Sequence, residues 1–163
     1  MLKTIKALPL TFSNTHTYLL ALLFVLGNIV LPQLCHLIPQ GGVMFQPIYA
    51  FTLIAACLLG WRVALLTAIV SPLANFLLFA MPTAAMLPVV LAKSLFLALC
   101  VSIAAGWRNQ WRMPLMVLSI IGTQIAGLAA EWIILGTLPS LLIGLPGVGI
   151  QIALALWMVA RLR

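Results

Sequence analysis

Between Leu87 and Trp107 the chain reads LPVVLAKSLFLALCVSIAAGW, an apolar run as long as a bilayer-spanning helix, with one lysine inside it. A lysine in hydrocarbon is costly, so Lys93 must face a partner, a cavity or a bound solute. The one acidic residue of the chain, Glu131, also lies in an apolar stretch. Only 6% of residues are charged and 65% are apolar, a balance that suits lipid rather than water as solvent. The net charge of +7 could point to nucleic acid, but the basic residues are scattered and form no run. They are read instead as signals of membrane topology.

The fold class expected is an all-α integral membrane protein with six transmembrane helices. One domain covers residues 1–163, with spans at about 17–38, 48–60, 61–81, 87–106, 115–135 and 145–162. Lys3 and Lys6 ahead of the first apolar run resemble a signal peptide. No small-residue cleavage site follows, so the run is read as a retained span. PQGGVMFQP (Pro39 to Pro47) has the glycine and proline punctuation of a loop, and Pro72 predicts a kink in the third span. The last segment is expected to be broken by Gly144, Pro146, Gly147 and Gly149 before it continues as a helix.

Orientation follows from the basic residues. Lys3, Lys6, Arg62, Arg108, Arg112, Arg161 and Arg163 all fall before the first span, after the last, or in alternate connectors. With six spans they share one side, which makes both termini cytoplasmic. Trp61, Trp107, Trp111 and Trp157 read as interface anchors on that side, and the Ala- and Gly-rich helix ends as close helix contacts.

Polar side chains gather in the other, outer half. Lys93 lies six positions into its span, roughly 9 Å below the surface at the rise of an α-helix. Glu131 lies at a similar depth, with Gln124 seven positions earlier on the same face. Asn75, Gln151, Gln33 and His36 come from other helices to the same half, and Gln46 from the connector. A few polar groups in an apolar wall make a pocket open to the outside, and the connector with Gln40, Gly41, Gly42, Met44 and Phe45 could cover it. Trp132 is either an interface anchor or a stacking platform for a flat ligand. Each polar residue also has a plainer reading. Lys93 and Glu131 could pair with each other, and Asn75 and Gln151 could be interhelical hydrogen bonds.

Catalytic and metal-binding patterns are missing. No P-loop, nucleophile elbow or HExxH is present, and Cys35, Cys57 and Cys100 lack ligand spacing. Neither an enzyme nor a resident cofactor or metal is expected. The intramembrane charges stop in the outer half, which argues against a proton-coupled path across the membrane.

Several motifs in order resemble the substrate-binding S components of energy-coupling factor (ECF) vitamin transporters. They are IPQGG (Ile38 to Gly42) with QPI after it, LLGWRVALLTAIVSPL (Leu58 to Leu73), FAMPTAAMLPVVLAKSLFLAL (Phe79 to Leu99) and GLPGVGIQIALALWMV (Gly144 to Val159). The resemblance spans about residues 33–159. It implies a six-helix bundle in the cytoplasmic (inner) membrane of a prokaryote, with an outward pocket roofed by the first connector. It also implies tight binding of a vitamin-like micronutrient, a transmembrane T component as partner and two cytoplasmic ATPases as the energy source. Two departures stand out. Lys93 occupies a place where many members carry glutamate, which suggests an anionic ligand. The alanine-x-x-x-alanine docking pattern is absent from the first helix, where Ala21 and Gly27 are the nearest small residues. The chain opens Met-Leu, not the Met-His of the nickel and cobalt members, so a bare metal ion is not the expected cargo.

On this reading Lys93 anchors the ligand, with Glu131, Gln151, Asn75, Gln33, His36, Gln46 and Trp132 as further contacts. A tetrapyrrole such as haem or cobalamin is a further option, motivated by His36, Met44, Met81 and Met86 near the outer face. The alternatives are a stand-alone secondary transporter or channel, and a membrane enzyme using Lys93 and Glu131 as a reacting pair.

Overall fold

A computed structural model describes residues 10–107, 110–136 and 141–161. Lys3, Lys6, Arg108 and Arg163, on which part of the topology argument rests, lie outside them, as does Leu162, the expected end of the last span. The described residues are helical and carry no strand, and six stretches are long and apolar enough to cross a membrane. In a bilayer every backbone polar group must be satisfied within its own segment, which an apolar helix achieves.

The first long helix, α1, spans Thr15–Cys35, and Asn14 caps it by accepting from the His16 amide. The short helix α2 (Gly41–Phe45) and a 3-10 turn (Pro47–Tyr49) lead into α3 (Ala50–Leu58). Next come α4 (Trp61–Phe79), α5 (Leu87–Gly106), α6 (Arg112–Leu135) and α7 (Leu141–Arg161).

Two expectations are corrected. The Pro39–Pro47 connector is not simply a loop, because α2 forms within it and joins α3 in an 18-residue stretch, Gly41–Leu58. That supplies the length that residues 48–60 lack. The final segment is not broken either, since α7 runs unbroken through Gly144, Pro146, Gly147 and Gly149. Gly144 and Gly147 serve packing. A Cβ on Gly147 would lie 2.8 Å from the Phe45 carbonyl group and 2.9 Å from the Met44 oxygen, so only glycine lets α2 seat there. Pro72, where a kink is expected, sits inside α4.

Helix α5 packs against α6, α4 and α3. The core between them is built from small and medium apolar residues, among them Ala55, Ala56, Val63, Ala64, Ala98, Val101 and Ala104. Little side-chain volume at these positions lets helices approach closely, as interfaces in lipid require. Large apolar residues such as Leu22, Leu23, Leu77 and Ile133 point outward, where a bilayer would solvate them.

A buried polar node fastens α1 to α3 and α4. Pro32 has no N–H, so the Asn28 carbonyl lacks its helical donor. Asn75 Nδ2 donates to that oxygen at 2.9 Å and to the Ser71 carbonyl at 2.9 Å. Asn28 Nδ2 donates to Thr52 Oγ1 and Ser71 Oγ, while its Oδ1 accepts from the Phe51 amide at the start of α3. Nearby, the Phe51 ring lies across Gly27, where a Cβ would come within 2.6 Å of it. Each polar atom buried here replaces a partner that lipid cannot supply.

At the other end of the bundle, Arg62 donates to the Leu10 carbonyl at 3.3 Å and lies 4.8 Å from the centre of the Trp61 ring. Phe12 meets Trp61 edge-on, which ties the segment before α1 to the start of α4.

Candidate ligand cavity

A cavity of about 630 Å³ opens where α1 ends and α5 begins. That is the size of pocket that takes a small organic molecule. Its walls are chiefly apolar, with Ile48, Val89, Val90, Ile121, Leu128 and Val148 among them. Polar groups enter from several elements, namely Gln33 of α1 and His36 just after it, Gln46 after α2, Asn75 of α4, Lys93 of α5, and Gln124 and Glu131 of α6.

The polar contacts converge on one atom. Gln46 Oε1 accepts from Lys93 Nζ at 3.2 Å, from Gln124 Nε2 at 3.3 Å and from Gln151 Nε2 at 3.3 Å. Gln124 Nε2 also donates to Gln151 Oε1 at 3.4 Å. An ammonium can only donate, so the Gln46 atom facing it must be the oxygen. The ammonium lies 5.2 Å from the centre of the Tyr49 ring, whose π face favours a cation. Lys93 and Glu131 both line the cavity, yet the lysine's hydrogen bond goes to Gln46 and not to the carboxylate.

The stem of Lys93 is held by a gap in α6. A Cβ on Gly127 would fall 2.8 Å from Lys93 Cδ, so the absent side chain is the seat of the lysine. Gly144 does the same for Gln46, whose Nε2 would lie 2.7 Å from a Cβ there. Gln46 itself adopts a left-handed conformation, with φ of 49°, as does Gln40 at the other end of α2, with φ of 58°. Non-glycine residues rarely occupy this region without support from their surroundings.

Two further polar atoms on cavity residues are buried without a protein partner, Gln33 Nε2 and Asn75 Oδ1. For Asn75 the assignment follows from chemistry, because its other atom faces two carbonyl oxygens and must be the nitrogen.

The candidate residues are thus sorted. Lys93, Glu131, Asn75, Gln33, His36 and Gln46 line the cavity, as does Gly42 of the connector. Gln151 is buried behind it and joins through Gln46. Trp132 is not brought to the cavity; it is 59% exposed on the outward side of α6. Trp132 lies about 100° around the helix from Glu131, on the exposed side. Gln40, Gly41, Met44 and Phe45 do not line it, and Met44 and Phe45 instead lay their backbone on Gly147. Sequence reasoning missed Tyr49, Gly127, Gly144 and Asn28. Gly127 had a readable signal, four positions before Glu131 on the same face. Asn28 had one too, an amide inside an apolar span like Asn75, whereas Tyr49 and Gly144 carried none. Among the described residues no group of three or more His, Cys, Asp or Glu could hold a metal ion. Comparison with family models, with curated proteins and with solved structures finds no match to this chain.

Proposed function

We propose that this chain is the substrate-binding subunit, an S component, of an ECF-type importer for a vitamin-like anionic micronutrient. The observation that carries the proposal is a membrane-embedded cavity whose one lysine is seated by Gly127 and held on neutral groups, without a bonded carboxylate. A ligand carboxylate fits there, and the apolar walls suit a compact organic body. The order of motifs from Ile38 to Val159 supports the same reading. Six spans with basic residues in alternate connectors support an orientation with the cavity open to the outside of a prokaryotic cytoplasmic membrane and both termini inside. Energy comes from a separate T component with two ATPases, since the chain has no nucleotide-binding motif of its own.

Purification in mild detergent from cells grown in rich medium, followed by native mass spectrometry and an absorption spectrum, tests this. A tightly held carboxylate-bearing solute supports the proposal, and a Soret band would make that solute a tetrapyrrole. An empty protein that takes up solutes alone in liposomes would overturn it in favour of a stand-alone transporter.

A further inference from the structure

We infer that Gln46 is a tethered stand-in for the ligand, its side-chain oxygen filling a carboxylate site made by Lys93, Gln124 and Gln151. The inference rests on the reading of the cavity as a binding site and deepens it. An amide oxygen has two lone pairs, yet three donors converge on Gln46 Oε1 at 3.2–3.3 Å. The donors also carry a full positive charge, whereas the acceptor carries none. A carboxylate has two oxygens, about four lone-pair sites and a negative charge, so it answers this donor set better than the amide does.

The donors come from three separate helices, α5, α6 and α7, whereas the acceptor comes from the short stretch after α2. Gln46 is held in a left-handed backbone conformation where it reaches them. Its amide end fits against Gly144. The geometry therefore joins the cation of the cavity to the α2 segment through a single side chain. A ligand carboxylate arriving at Lys93 takes these donors from Gln46 and frees the α2 end of the segment. Occupancy of the cavity is thereby linked to the position of α2, and Gln46 competes with the ligand it stands in for.

The sign of this competition separates it from an ordinary contact residue. In Gln46→Gly the competitor is gone, the donors remain, and the left-handed backbone conformation suits glycine. Thermal unfolding in detergent is measured against rising sodium acetate, with sodium chloride at matched ionic strength as control. Acetate is expected to raise the unfolding midpoint of Gln46→Gly in a saturable way. The wild-type protein, where acetate must first displace Gln46, should respond only at higher acetate, and the double variant Gln46→Gly with Lys93→Met should not respond beyond the chloride control. No acetate effect in the single variant, or an equal effect in all three proteins, overturns the inference. Because acetate probes the donor site alone, this result is independent of whether the chain serves an importer. A co-purified carboxylate lost in Lys93→Met, together with no acetate effect, would leave the proposed function standing and remove only the role of Gln46.

Discussion

Lys93 and Gly127 interlock across α5 and α6, with the lysine stem lying where a side chain at 127 would have to be. The position of the cation is therefore set by an absence on the neighbouring helix.

Gly127→Val should displace Lys93 while leaving the bundle assembled, at an overpacking cost of about 1–3 kcal/mol. Binding of the co-purified ligand should fall much further than the unfolding midpoint does. A parallel titration and melting curve checks this, and unchanged affinity would show that the notch is incidental.

Lys93→Met keeps the volume of the stem and removes the charge. Taking a charge out of an apolar interior is neutral or stabilising for the fold when nothing is left unpaired. Affinity for an anionic ligand should drop by about 2–5 kcal/mol, as when one partner of a buried charge pair is removed. Calorimetry against the ligand measures the first quantity and detergent melting the second. Full retention of affinity would refute the anchor role.

Asn28→Leu should destabilise the helix bundle more than any single change in the cavity wall. It strips partners from Thr52, Ser71 and the Phe51 amide at once. Each buried group left unsatisfied costs about 1–3 kcal/mol. A melting midpoint equal to that of the wild type would mean that these groups find other partners.

Gly147→Val should unseat α2, because its side chain would press on the Phe45 and Met44 backbone, which cannot swing aside. Amide exchange over residues 41–46, read by mass spectrometry, should speed up while α5 and α6 stay protected. Exchange unchanged across that segment would show that α2 is held elsewhere.

Much of the framework was legible in the sequence because it depends on local properties. Apolar runs of spanning length identify six helices whatever their arrangement, and Lys93 stands out as a charge with no apolar justification. The seven-residue spacing of Gln124 and Glu131 already places both on one face of α6. The glycines of α7 show the limit of such reasoning. Gly144, Pro146, Gly147 and Gly149 read as a break, yet the helix continues, with Gly144 accepting Gln46 and Gly147 the α2 backbone. The same residue type marks a turn or a close approach, and neighbours in sequence do not distinguish the two.

Membrane residence, the number of spanning stretches and the polar residues that need an explanation are all readable from the chain alone. Those outcomes follow from transfer free energies and helix periodicity, which act over a few turns. What those residues touch depends on the packing of the whole bundle. Gln46 meets Lys93, Gln124 and Gln151 from 47, 78 and 105 positions away in the chain. Lys93 turns to Gln46 instead of Glu131, and Trp132 faces away from the cavity beside it. Such contacts are settled by how four helices pack at once, which is a property of their shared volume and not of any one segment.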